Sequence, residues 1–336
     1  MNINTNTTIK FAVTTALALA GAAAQAQSQV QVYGVVDAGI VAEYGTPTGT
    51  NTSVSGGIGY GSRLGFKGTE DLGNGLSAVF VVESGFAADT GTSTQGGRLF
   101  GRQVWVGLNG AFGAVSVGRQ YSPYYKALAD MADPFEDGYA GQAMNIMAGN
   151  RRMDNSVAYR TPAVAGFSAE VAYGAGEVAG DSTRNREMSG SVTWAPGPLM
   201  VILTHHRRDD ALLPDHVTNT GAVVRYTIGP VIGRAAIVRN RGLAGDDSRD
   251  ALLGLTYQSG PHRVMASAVH RDDRTAARRD ARQFGVGYVY SLSKRTDLYT
   301  AYGHIDNDNG ASYKVGNATD DGNGNAAFNL GMRHAF

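Results

Sequence analysis

Residues 122–154 gather unusual charge into one connection: "ADMADPFEDG" carries Asp130, Asp133, Glu136 and Asp137, and Arg151 and Arg152 close the stretch. A connection of this length is functional or disordered as a rule, and charge on an ordinary solvated loop is the plain alternative. Opposing charge is available in "SRLGFK", where Arg63 and Lys67 share the parity opposite Leu64 and Phe66. On a strand that parity puts both cations on the wet face. Such charges interact weakly through water, about 0.5 kcal/mol for a pair about 8 Å apart, and salt screens them over about 8 Å, so their chemistry would be electrostatic and would make or break no bond.

Catalytic and metal-binding patterns are incomplete. His205 and His206 look like a ligand pair, but neighbours on a strand point to opposite faces and cannot hold one ion side by side. Asp306 and Asp308 in "HIDNDNGASY" have oxygen-ligand character, yet Gly310 stands one place early for an EF-hand loop. A solvated turn fits that stretch; a weak divalent contact, or lipopolysaccharide bridged through a cation, is the alternative. "GGIGYG" at 56–61 lacks the strand-to-helix setting of a dinucleotide fingerprint, and no G-x-S-x-G elbow occurs. With zero cysteines there is no disulfide framework or thiolate site, and a net charge of +0 leaves no global basic surface for nucleic acid. The expectation is no catalytic residue, no metal and no cofactor.

These residues must be positioned by strands. Residues 1–10 are polar with one lysine, 11–24 are apolar or small, and "AQAQ" follows. This reads as a signal peptide, 1–26, cleaved after Ala26, the apolar run being short of the roughly 20 residues of a membrane helix. Residues 27–336 then form a single unit in which period-two segments alternate with two kinds of connection. Tight turns fall at 72–75, 109–113, 162–166, 195–198, 228–230, 259–261 and 291–295. Longer polar loops fall at 42–60, 87–97, 122–154, 176–186, 208–219, 240–249, 271–281 and 305–325. Strict alternation delimits about sixteen strands, with both ends of the chain on the short-turn side. Phe167, Val171 and Tyr173 oppose Ser168 and Glu170; Phe284, Val286, Tyr288 and Tyr290 oppose Gln283, Gly285 and Gly287. Parity alone leaves a soluble β-sandwich open; strand number and loop asymmetry favour an all-β transmembrane barrel. Such a barrel cannot leave an open edge in hydrocarbon, so "VQVYGVVDAGI" should lie beside the terminal "AAFNLGMRHAF". Tyr33, Tyr173, Tyr226, Tyr257, Tyr288, Tyr290, Tyr299 and Tyr302 suit interfacial aromatic girdles, with plain strand propensity as the alternative.

The stretches "VYGVVDAGI", "SRLGFKGTEDLGNGLSAVFVVESGF", "GRQVWVGLNGAFGAVSVGRQY", "NSVAYRTP" and "GMRHAF" resemble the trimeric general-diffusion porins of the betaproteobacterial type. With the loop order, the resemblance covers essentially all of the chain after the signal. It implies a sixteen-stranded antiparallel barrel in the cell outer membrane, with short periplasmic turns and long extracellular loops. It further implies a homotrimer set among outer-membrane lipid and lipopolysaccharide, and a third loop, 122–154, folded into the pore. The function implied is passive diffusion of small hydrophilic solutes and inorganic ions, not catalysis. Matched residue by residue, Arg63, Arg102 and Arg152 resemble the arginine cluster of the pore constriction and Glu83 the acid facing it. Lys67 and Arg151 join this candidate set, and which of Asp133, Glu136 and Asp137 reaches the lumen stays open. Of the 29 basic residues all but five are arginine, which favours weak anion preference; the loop acids count against it. A terminal aromatic strand resembles the signal read by the outer-membrane assembly machinery, so Phe336 is a candidate address. An outer-membrane hydrolase and a plugged structural barrel are the other classes, and conductance separates them from a porin.

Overall fold

The structure, a computed structural model, describes residues 29–336; the expected signal peptide, 1–26, lies outside the described residues. The strands are β1 (Gln29–Thr46), β2 (Gly49–Gly56), β3 (Arg63–Gly73), β4 (Leu76–Gly85), β5 (Gln103–Gly110), β6 (Gly113–Tyr121), β7 (Arg152–Arg160), β8 (Phe167–Gly174) and β9 (Glu187–Trp194). They continue as β10 (Leu199–Asp209), β11 (His216–Ile228), β12 (Val231–Arg241), β13 (Asp247–Ser259), β14 (His262–Asp273), β15 (Ala281–Ser291), β16 (Thr296–Asn307) and β17 (Ala326–Ala335). Pairing between sequence neighbours is antiparallel throughout except between β2 and β3, which do not pair with each other but with the upper and lower halves of the same edge of β1. They are one stave broken at 57–62, which makes a closed 16-strand barrel.

Closure runs where the end segments led us to expect it. Val35 to Tyr44 pair in register with Ala335 to Ala326, and Gly34 and Phe336 exchange two backbone hydrogen bonds of 3.1 Å. The outward row is apolar and bare: Val32, Leu203, Ile237, Leu253 and Leu330 are each more than half exposed, while inward Asn219, Gln283 and Asn329 are buried. An uninterrupted apolar exterior around a polar interior fits a barrel whose surroundings are hydrocarbon and whose lumen is wet. Tyr226, Tyr257, Tyr288 and Tyr290 stand outward near the short-turn ends, beside Phe167 stacked on Trp194 with ring centres 6.0 Å apart. Tyr33 and Tyr299, expected among the girdles, instead face inward and donate hydrogen bonds to Glu83 and Asp37.

Several expected loops are shorter than their polarity implied. The stretch 42–60 is a hairpin, with β1 running to Thr46 and β2 returning from Gly49. The loops expected at 208–219, 240–249 and 271–281 shrink to 210–215, 242–246 and 274–280. Cross-strand ion pairs carry these ladders beyond the apolar band: Arg186 to Asp209 at 2.5 Å and Arg239 to Asp247 at 2.6 Å. Polar sequence above the bilayer therefore reads as loop although the backbone is still paired.

The break in the second stave is folded on a single carboxylate. Asp37, fully buried, accepts the backbone N–H of Ile58 (3.0 Å) on Oδ1 and those of Gly59 (3.1 Å) and Tyr60 (3.0 Å) on Oδ2. Tyr299 adds its hydroxyl to Oδ1 at 2.6 Å, and Ser62 Oγ accepts from the Asp37 N–H at 3.0 Å. Residues 57–62 leave the wall here and carry Tyr60 into the lumen. Asp37→Ala strands several buried donors and is expected to cost about 3 kcal/mol. Urea unfolding in detergent or vesicles measures this, and unchanged stability would remove Asp37 as the anchor.

Candidate functional site

Between β6 and β7 the chain turns into the barrel rather than away from it. Ser122 accepts the Tyr125 N–H at 3.0 Å and caps a short helical turn, Pro123–Tyr125, which runs on through a π-helical turn, Lys126–Ala132. Beyond it Phe135, Tyr139, Ala140 and Ala143 are buried against the inner wall of β13 to β17. That wall is stripped for the purpose. A Cβ on Gly285 would stand 2.7 Å from the Gly141 Cα, and one on Gly303 would stand 2.1 Å from the Ala140 carbonyl oxygen. Alternating glycines that read as small lumen residues in sequence form the bed of the inner loop. Polar hooks complete the seat: Asn329 Oδ1 accepts the Ala140 N–H at 2.6 Å, and Gln283 Nε2 donates to the carbonyls of Gly141 and Gln142 at 3.0 and 2.9 Å.

Opposite that bed, the wall of β1 and β3 to β7 assembles one charged cluster. Arg102 Nε donates to Glu83 Oε1 at 2.7 Å, Arg63 Nη1 lies 4.0 Å from Glu83 Oε2, and the Tyr33 hydroxyl donates to the same oxygen at 3.0 Å. Tyr33 reaches it by lying across Gly65, where any Cβ would meet the ring at 2.4 Å. Arg102 and Arg152 both donate to the Tyr121 hydroxyl, at 2.9 and 3.1 Å, and Arg152 lies over the ring of Tyr121. Tyr121 in turn stacks on Tyr125 of the inner loop at 5.1 Å. Arg63, Glu83, Arg102 and Arg152 are thus brought together, with Arg152 standing on β7 rather than in the loop.

The remaining candidates separate. Arg151 is clamped to Asp137 of the inner loop by contacts of 2.6 and 2.7 Å, and the Tyr125 hydroxyl donates to the same carboxylate. Glu136 and Asp137 sit side by side in left-handed backbone, φ 55° and 60°, yet their carboxylates have different partners. Glu136 accepts from the Tyr60 hydroxyl at 3.0 Å and lies 3.6 Å from Arg263. Asp130 is exposed. Asp133 does not face the lumen: it has no exposed surface and accepts the backbone N–H groups of Phe135, Asp137 and Ala143 at 2.9, 3.3 and 2.8 Å. A carboxylate buried against backbone donors holds the loop's shape and leaves little charge to show a solute. Lys67 also stands apart, four residues along β3 from Arg63 and over the ring of Tyr33.

A second basic arc was not anticipated. Arg225, Arg234, Arg263 and Arg333 occupy the inward parity of β11, β12, β14 and β17. Arg263 donates to the Tyr60 hydroxyl at 3.1 Å, Arg333 covers the Tyr60 ring and pairs with Asp297, and Arg225 reaches Met131 of the inner loop. Inward parity of a charged residue within a strand was the available signal. His205 and His206 do part, as expected: His205 is outward on Thr220, and His206 is buried inward beside Tyr124.

A closed barrel that is apolar outside and polar inside, with a loop folded into it facing a cluster of wall arginines, defines a membrane channel. The chain belongs to the Gram-negative porin family, whose model matches residues 12–310. It is 32% identical over 332 residues to an outer membrane porin protein of Bordetella pertussis, covering 83% of each chain. It is 30% identical to outer membrane porin protein 32 of Delftia acidovorans, covering 82% of this chain and 84% of that one. In structure it is similar to an anion-selective porin from Comamonas acidovorans, with TM-score 0.78, 26% identity, and coverage of 92% of this chain and 100% of that one. The protein is an outer-membrane porin, a channel for passive diffusion of small hydrophilic solutes.

The role of Asp133 is open to test. Asp133→Asn replaces one acceptor oxygen by a donor that faces buried N–H groups, a loss of about 2 kcal/mol at the loop's hinge. Single-channel recordings should then show a broadened conductance distribution and more open-channel noise. A distribution as narrow as that of the unaltered protein would rule the hinge out.

Proposed function

We propose that the porin passes anions in preference to cations, and that its waist lies between the inner loop and the walls bearing Arg63, Arg102 and Arg152 on one side and Arg225, Arg234 and Arg263 on the other. One observation carries this reading: guanidinium groups outnumber carboxylates in both clusters, Glu83 serving the first and Glu136 the second. Arginine holds its charge at any physiological pH, so the excess persists. Asp137, Asp130 and Glu136 on the inner loop supply the opposite pole, with Asp137 largely spent on Arg151. The resulting bias is modest, since one charge about 8 Å away changes an ion's energy by about 0.5 kcal/mol in water and somewhat more in a narrow pore. Arg63→Gln with Arg152→Gln should lower the anion-to-cation permeability ratio about fivefold. Reversal potentials in a salt gradient across planar bilayers read this directly, and an unmoved potential would sink the assignment.

The reading carries no enzymatic role. It takes the chain as a homotrimer set among outer-membrane lipid and lipopolysaccharide, joined through the outward faces of the early strands, where Val32, Ile40, Val54 and Val106 are exposed. It also takes 1–26 as a cleaved signal and Phe336 as an assembly address; Phe336 stands outward at the seam with Gly34. One gel examines both the trimer and the address. Unboiled membranes should give a heat-labile band of trimer size, and deletion of Phe336 should deplete that band while the molecules that do assemble keep their conductance. Monomer alone, by gel and by crosslinking, would overturn the trimer; a normal band from the deletion would overturn the address.

A further inference from the structure

On the short-turn side of the arginine clusters the lumen holds a cavity of about 380 Å3. Its wall departs from what a bare sieve requires. One register row crosses four staves from Gln31 to Lys67, Val81 and Trp105, spanning about 14 Å at the spacing of paired strands. The chain has 2 tryptophans; Trp194 stands outward among the girdle residues, whereas Trp105 holds an inward position on β5. Its indole N–H donates to Gln103 Oε1 at 3.2 Å, which pins the ring to the wall and leaves it half-buried.

Charge in the cavity is also only partly spent. Lys126 and Glu170 satisfy each other at 2.5 Å. Lys67 has no carboxylate within ion-pair distance among the described residues and rests over the Tyr33 ring at 5.1 Å. Arg160 stands in the row of Asn109, nearer the short-turn mouth. An ammonium held without a counter-ion, an indole face and the amides of Gln31, Gln103 and Asn109 line one space.

Each of these groups selects a different part of a solute. The indole favours a flat apolar face, the amides donate to and accept from hydroxyls, and the ammonium takes a carboxylate. A carboxylated, hydroxylated ring answers all three demands. A neutral sugar leaves the ammonium unpaired, and a linear dicarboxylate leaves the indole bare. We propose that this cavity is a transit binding site for sugar acids. Its place about 13 Å along β3 from Arg63 makes it separate from the waist, and a channel uses such a site best when binding is firm enough to enter and weak enough to leave. The proposal rests on the channel being open and is independent of its ion preference.

The test is solute-induced current noise in planar bilayers, recorded first in plain potassium chloride and then with galacturonate, glucose or succinate on both sides. Galacturonate should half-saturate at a concentration about tenfold below those of glucose and succinate. Trp105→Ala should raise the galacturonate midpoint about fivefold, and Lys67→Gln should raise it while leaving glucose unchanged. Equal midpoints for the three solutes, or a galacturonate midpoint untouched by Trp105→Ala, would overturn the site. Should the tryptophan variant fail to assemble, the comparison of solutes on the unaltered protein still decides. A protein that conducts in plain salt without galacturonate noise refutes the site alone, whereas one that never conducts refutes the channel.

Discussion

Every backbone N–H and C=O that crosses hydrocarbon must find its partner inside the protein, and the rest of this structure follows from that demand. A sheet meets it only by closing on itself, so β1 must meet β17. Closure fixes the alternation of each strand, because one face must then be apolar for lipid and the other must enclose water. It also explains why the second stave can afford a break: β1 continues to pair above and below residues 57–62, and Asp37 absorbs the donors that the break releases.

A wet lumen creates the next requirement, which is to hold a long chain segment in open water without letting it wander. The inner loop is fixed from two sides. Its outer surface lies on glycines of β15 and β16, where backbone meets backbone, and on Gly254 of β13, where the Pro134 ring sits, and Gln283 and Asn329 take up its peptide groups. From within, Asp133 gathers N–H groups from Phe135 to Ala143 of the loop. Asp37 and Asp133 are alike in this respect: both are buried carboxylates satisfied by backbone donors, one shaping the wall and the other the loop. Tyr60, Tyr139 and Tyr299 join the two, with Tyr139 edge-on to both other rings. The inner loop is as rigid as these contacts, so the charges it carries and faces are preorganised.

The charges themselves are weak instruments one at a time. Glu83 draws Arg102 and holds Arg63 close, Tyr121 bridges Arg102 and Arg152, and Arg151 is committed to Asp137. What remains is an imbalance, positive on both walls, which physiological salt screens over about 8 Å. A porin that must pass many solutes is suited by a weak field, since a deeper well would trap the ions it passes.

Period two, turn residues and loop alternation were legible in the linear chain, and they determined the barrel, its strands and the meeting of its first and last segments. These are local properties: a side chain's face follows from the parity of its position. Residues matched through family resemblance, Arg63, Glu83, Arg102 and Arg152, also came together. Strand ends were harder to read, because Arg186, Asp209, Arg239 and Asp247 extend the ladder with polar residues that elsewhere mark a loop. Tertiary structure alone decided that Asp133 is buried against backbone N–H groups, that Lys67 leaves the arginine cluster, and that Arg225, Arg234 and Arg263 stand across the lumen from it. Parity tells which face a residue occupies but not its height or its bearing around the barrel; those depend on register and on where the inner loop lies, which no single strand contains.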